Sequence, residues 1–176
     1  MHFLREQILQ EHSKAQTLAI AEWIGKDEER FRALLHLFLH DEYRVVQRAA
    51  WVLSYIAERH REMVAPYLPL LVKRMTVEDL PVAVKRNVLR MLQHMDIPES
   101  LHGEVMNMCF HFLEDVKETV AVRAFSMTVL ARLAIIYPDI KQELKTVIED
   151  ALELEKKVRA GFTSRARRTL KELAIE

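Results

Sequence analysis

The chain has 176 residues, half of them hydrophobic, and its 26 basic residues balance 26 acidic ones. This length suits one domain, and zero net charge leaves no global field that would attract nucleic acid or a membrane surface. With only three glycines and many good helix formers, the composition favours an all-α protein. A single cysteine excludes an internal disulfide, and no apolar run approaches the roughly 20 residues that span a bilayer. We expect a soluble cytoplasmic protein with no cofactor.

Residues 1–25 predict a helical N-terminal cap. The segment SKAQTLAIAEWI, from Ser13, has apolar residues at helical spacing, and Gly25 is positioned to end it. A terminal unit exposes one side to water, which explains its departure from the pattern that follows. The opening residues carry charges and no small-residue cleavage site, so we do not interpret them as a signal peptide.

An apolar pattern with helical spacing then recurs four times. Its copies begin at intervals of 39, 38 and 40 residues, at Val45, Val84, Val122 and Phe162. A second amphipathic segment precedes each copy, so the repeating unit is a helical hairpin with a first and a second helix. We predict one α-solenoid domain over residues 1–176, with hairpins at 28–58, 62–97, 101–136 and 138–175. Thr76 with Asp79 resembles a capping box for one second helix.

The second helices VKRNVLRMLQHM and VRAFSMTVLARL resemble those of the HEAT repeat family, with an apolar residue followed by a basic one. Pro69 lies where that family often has a proline that bends the first helix. Val46 and Thr163 replace the usual basic residue, and Ser126 replaces an alanine. The resemblance covers about residues 28–175. It implies a right-handed α-α superhelix of the HEAT or armadillo type, whose second helices line a concave face.

Charge is distributed unevenly between the two kinds of helix. The second helices carry eleven basic residues and three acidic ones, so a concave face would be basic. Positions three, seven and ten of each second helix lie opposite its apolar stripe. The predicted partner-binding residues on or beside these positions are Gln47, Trp51, Tyr55, Arg86, Arg90, Gln93, Arg168 and Lys171. Two interpretations stay open: a basic binding groove, or arginines that form salt bridges and cover apolar surface between repeats.

Other candidate sites are weaker. His36 and His40 have the i, i+4 spacing of metal ligands, but Leu37 occupies the place of the glutamate in the metalloprotease motif. Cys109 lies in the apolar run MNMCFHF, which predicts that its thiol is buried. Nucleotide-binding loops and hydrolase elbows are absent from the sequence, and paired carboxylates such as Glu153 and Glu155 suit a solvated face. We predict no catalytic residues and no metal.

These features predict a non-enzymatic binding or scaffold module for a protein or peptide partner, with acidic character to match the basic face. Nucleic-acid binding is the alternative. The HEAT-like alkylpurine DNA glycosylases use a basic concave groove with a tryptophan and a catalytic aspartate. This chain departs from that pattern because its net charge is zero and the inner positions carry no acidic residue. No residue set supports a third possibility, a lyase that attaches bilin pigments.

Overall fold

The computed structural model describes residues 1–154 and 160–174, which are helical with short connections and contain no strand. The all-α prediction is confirmed. The helices are α1 (His2–Gln10), α2 (Lys14–Ile24), α3 (Glu28–His40), α4 (Tyr43–Arg59), α5 (Arg61–Val64), α6 (Leu68–Arg74), α7 (Val82–Leu92), α8 (Glu99–Glu114), α9 (Val120–Ile136), α10 (Ile140–Leu154) and α11 (Ala160–Leu173). They form two compact units, Met1–Asp96 and Ile97–Glu176.

Helix α4 is the centre of the first unit. It contacts α1, α2, α3 and α7. Its predicted apolar stripe is buried, with Val45, Ala49 and Leu53 fully inaccessible to solvent. Burial also extends to Ala50 and Ser54, outside that stripe. This wider burial follows from the several neighbours of α4, since each one covers a different side of the helix.

The predicted N-terminal segment forms two helices, α1 and α2. Ser13 caps α2, where its Oγ accepts a hydrogen bond from the Gln16 backbone, and Gly25 ends the helix with a φ of 50°. That left-handed conformation costs glycine little because it has no Cβ. Helix α1 is tied to the α3–α4 junction by an ion pair of 3.0 Å between Arg5 Nε and Asp41 Oδ2. These contacts attach the segment to the hairpin that follows it.

The first helix of the next hairpin is broken into three pieces. A 3₁₀ turn, Ala65–Tyr67, separates α5 from α6. Pro66 lies in that turn and Pro69 lies in the first turn of α6, where a missing backbone N–H leaves no hydrogen bond unmade. The predicted capping box is wrong. The Thr76 hydroxyl donates back to the Lys73 carbonyl, and α7 begins after Pro81 without a side-chain cap.

Helix α9 occupies the central place in the second unit. It contacts α8, α10 and α11. Val122, Ser126 and Leu130 of α9 are fully buried, and so is Phe162 of α11, as the repeating pattern predicts. The predicted helix that leads to α11 begins at Ile140 and is described as far as Leu154. Its last predicted residues, and the carboxylate of Glu155, lie outside the described part of the chain.

Candidate partner-binding surface

Two aromatic side chains lie one after the other on a solvent-facing side of α4. Trp51 and Tyr55 are one helical turn apart, and their ring centroids are separated by 6.3 Å. Both are half-buried, and Gln47 lies one turn before Trp51 with similar exposure. The i, i+4 spacing places these three side chains in a row, so α4 presents a half-exposed aromatic strip.

Trp51 is supported from one side. The ring of His12, in the connection before α2, meets it edge to face at a centroid distance of 5.5 Å. This geometry is favourable for aromatic pairs and restricts the indole without covering it completely. Trp51 therefore has both a structural neighbour and an open face.

Arg90 of α7 reaches across to α4. Its guanidinium carbon lies 5.1 Å from the centroid of the Tyr55 ring, and its Nη2 forms an ion pair with the carboxylate of Glu58. The repeat register leads us to expect Trp51 beside Arg90, but Tyr55 has that place. The reason is Glu58, which lies just beyond Tyr55 on the same side of α4 and attracts the guanidinium towards it.

A second arginine on α7 is open to solvent. Arg86 precedes Arg90 by one turn and is exposed, with no hydrogen-bond or ion-pair partner among the residues that the structure describes. Arg44 of α4 has the same character, two turns before Trp51. Sequence reasoning missed Arg44, although its seven-residue spacing from Trp51 places both on one side of the helix. We call the following residues the α4–α7 surface: Arg44, Gln47, Trp51, Tyr55, Glu58, Arg86 and Arg90.

Gln93 does not belong to this surface. Only 7% of its area is exposed, and Ser54, at the same repeat position of α4, is also buried. On an isolated amphipathic helix, position ten would face water. These helices have neighbours on several sides, so the prediction for Gln93 is corrected.

Arg168 and Lys171 lie in the second unit, on α11. Both are exposed, and Arg168 Nε pairs with Glu172 at 2.8 Å, one turn further on. Within the described residues of α11, the one aromatic side chain is Phe162, which is fully buried. The matching position of α9 is Thr128, whose hydroxyl accepts a hydrogen bond of 2.6 Å from Arg165. The two residues are thus solvent-facing cations without the aromatic neighbours of the α4–α7 surface.

Several arginines of the second helices serve as internal connections. Arg48 Nη1 donates to the carbonyls of Ile8 and Leu9 at the end of α1, each at 2.9 Å. Arg123 is 2% exposed, donates from Nε to the Leu113 carbonyl at 3.0 Å, and lies 4.3 Å from the centroid of the Phe162 ring. Part of the basic charge counted on the second helices is therefore structural, and only part of it is fully exposed to solvent.

A model of the HEAT repeat domain family matches residues 4–173. The chain belongs to the HEAT repeat family. This match extends the resemblance to α1 and α2, which the sequence pattern treats as an atypical cap. No curated protein and no solved structure matches this HEAT repeat chain. The handedness of the superhelix and the single-domain organisation stay predictions.

The histidine pair and the cysteine of this HEAT repeat protein are the two remaining candidates for chemistry from the sequence. The rings of His36 and His40 are 4.9 Å apart, but no group of three metal-ligating side chains occurs among the described residues. Cys109 is fully buried, and burial raises the pKa of its thiol to about 12. Residues 1–154 and 160–174 include no helix long and apolar enough to cross a membrane.

An exposed aromatic pair on α1 and α2 escaped sequence reasoning. Phe3 is 54% exposed and Trp23 39% exposed, with ring centroids 5.4 Å apart. Arg30 covers the Trp23 ring, with its guanidinium carbon 4.2 Å from the centroid, and donates to the Trp23 carbonyl at 2.6 Å. The sequence gives one sign of this pair, which is that large aromatic residues lie off the apolar stripe of the predicted cap.

Proposed function

We propose that this HEAT repeat protein is a non-enzymatic binding module whose α4–α7 surface holds an acidic segment of a protein partner. The observation that carries the proposal is the half-exposed Trp51–Tyr55 strip with the Arg90 guanidinium against Tyr55, and with exposed Arg86 one turn before Arg90 on α7. Tryptophan, tyrosine and arginine are the residues that most often dominate binding energy at protein interfaces.

The chemistry of the surface favours a carboxylate-bearing partner. Arginine presents a planar fork of donors that matches a carboxylate in two parallel hydrogen bonds. Arg86 and Arg44 have these donors open to solvent, and the half-exposed rings of Trp51 and Tyr55 offer flat apolar contacts. A segment that alternates acidic and aromatic or apolar side chains satisfies both features.

Nucleic-acid binding is the competing function, and one feature of the surface bears on it. Contrary to expectation from the sequence, an acidic residue does lie beside the aromatic strip, since Glu58 follows Tyr55 on the same side of α4. Its carboxylate is held by Arg90 and would repel phosphates and carboxylates alike, so it does not distinguish the two partners. Tight duplex binding usually engages six to ten phosphates, whereas this surface offers only three arginines. The small number of arginines favours a peptide.

The test is fluorescence anisotropy with a fluorescein-labelled peptide rich in glutamate and tyrosine, together with its glutamine counterpart. We expect the acidic peptide alone to bind, and Trp51→Ala and Arg86→Glu each to weaken binding at least about tenfold, as lost interface anchors do. Arg167→Glu is the matched control because Arg167 is an exposed arginine of α11, and it should change binding less than about twofold.

Three results would reject the proposal. The first is no binding of the acidic peptide, and the second is equal loss in the Arg167→Glu control. The third is tighter binding of a labelled DNA duplex than of the peptide at physiological salt, which would establish the nucleic-acid alternative. Trp51→Ala must also retain most of its stability. A loss of about 3 kcal/mol, the scale for a fully buried aromatic, would assign Trp51 to the core instead.

A further inference from the structure

We infer that the α4–α7 surface contains two carboxylate subsites, one open and one occupied by the protein's own Glu58. The open subsite is Arg86, and the occupied subsite is Arg90. The partner is then an extended segment with acidic residues at alternate positions, whose second carboxylate displaces Glu58 from Arg90. This inference rests on the proposed function and specifies the partner that the surface selects.

The Glu58–Arg90 pair is suited to exchange. The side chains of Arg90 and Glu58 are 32% and 39% exposed, so water and salt screen their attraction. Exposed ion pairs of this kind contribute little to stability. An incoming carboxylate that takes the place of Glu58 therefore loses little, while the contact of Arg90 with the Tyr55 ring is independent of which carboxylate it binds.

The spacing of the two arginines determines the spacing of the partner's acids. Side chains at i and i+4 of a helix have Cβ atoms roughly 6 Å apart. In an extended segment, residues i and i+2 face the same side and are roughly 6.5 Å apart. Two carboxylates separated by one residue can therefore engage Arg86 and Arg90 together, whereas a single carboxylate is satisfied by Arg86 and leaves Glu58 in place.

In this arrangement, Glu58 weakens the binding of diacidic ligands in particular. After displacement, its carboxylate remains beside the partner's second carboxylate, and like charges at short distance repel. Replacing it with glutamine removes both the competitor and the repulsion while preserving the shape of the side chain. A ligand with one carboxylate never reaches Arg90 and gains little from the change.

The experiment compares two fluorescein-labelled peptides with a glycine–serine frame. One carries two glutamates separated by a tyrosine, and the other has its second glutamate replaced by glutamine. Anisotropy titrations use the full chain, Glu58→Gln and Arg86→Ala. Glu172→Gln is the matched control, because Glu172 also pairs with an arginine at an exposed position. We expect Glu58→Gln to tighten the diacidic peptide roughly fivefold, the equivalent of about 1 kcal/mol.

The monoacidic peptide should change less than about twofold in Glu58→Gln, and neither peptide should respond to Glu172→Gln. An unchanged or weaker diacidic complex in Glu58→Gln, with binding still dependent on Arg86, would overturn the two-subsite inference and leave the proposed function standing. Equal tightening of both peptides would overturn it too, because the effect would then be general electrostatics. Binding of neither peptide by any variant would reject the proposed function itself.

Discussion

Replacing Arg123 with methionine should destabilise the second unit by about 3 kcal/mol. The Arg123 guanidinium is buried, and its Nε donates to the carbonyl of Leu113 in the last turn of α8, where carbonyls lack helical partners. A hydrogen bond from a charged donor contributes about 1.5–3 kcal/mol, and a desolvated cation–π contact such as that with Phe162 about 2 kcal/mol. Methionine keeps most of the apolar volume but can donate no hydrogen bond. The saved cost of burying a charge brings the sum down to about 3 kcal/mol.

Urea denaturation followed by far-UV circular dichroism measures this change. The control is Arg167→Met, the same substitution at an exposed position of α11, for which we expect a change below about 0.5 kcal/mol. If Arg123→Met and Arg167→Met differ by less than about 1 kcal/mol, the internal arginine does not connect α8, α9 and α11 as we describe.

Two further predictions concern ionisation. Partial burial acts to raise the pKa of Asp41, but hydrogen bonds from Arg5 and the Glu42 backbone outweigh it and hold that pKa below its ordinary 3.8. Asp41→Asn should therefore lower the free energy of unfolding by up to about 1 kcal/mol in urea titrations at pH 7. The difference from the unmodified chain should vanish as the pH falls below 3.8, because Asp41 is then protonated. A difference that persists at pH 2 would contradict this. With a pKa of about 12 instead of 9.0, the Cys109 thiol should react with a disulfide reagent roughly a thousandfold more slowly in the folded chain than in urea. Equal rates would show that Cys109 is accessible.

The sequence predicts the helices and their inner stripe well because both depend on local periodicity. Val45, Leu53 and Leu130 recur at helical spacing, and each is buried where the pattern places it. A helix needs an apolar stripe to pack against other helices, so the stripe can be recognised in the sequence before the neighbouring helices are known. The period of about 39 residues adds the hairpin, since equal spacing implies equal units.

Positions that depend on neighbouring helices could not be predicted in this way. Gln93 faces away from the stripe and is nevertheless buried, because its surroundings are decided by helices elsewhere in the chain. Arg123 looks like part of a basic face in the sequence, yet a carbonyl and an aromatic ring from two other helices enclose it. Capping is similarly conditional. Thr76 is a residue type that often caps helices, but its hydroxyl donates to the carbonyl of Lys73, three residues earlier.

Of the predicted binding residues, Tyr55 of α4 and Arg90 of α7 are in contact, and the reason for this is specific to that pair of helices. Position seven is Trp51 in α4 and Thr128 in α9. In α9, the Thr128 hydroxyl accepts a hydrogen bond from Arg165, so this arginine is engaged within the protein. An indole has no such acceptor. Among the described residues, Arg90 of α7 contacts the Tyr55 ring and the carboxylate of Glu58, and Arg86 stays exposed. Whether an arginine of the second helices is engaged within the protein therefore depends on what its neighbours can accept, and not on repeat position alone.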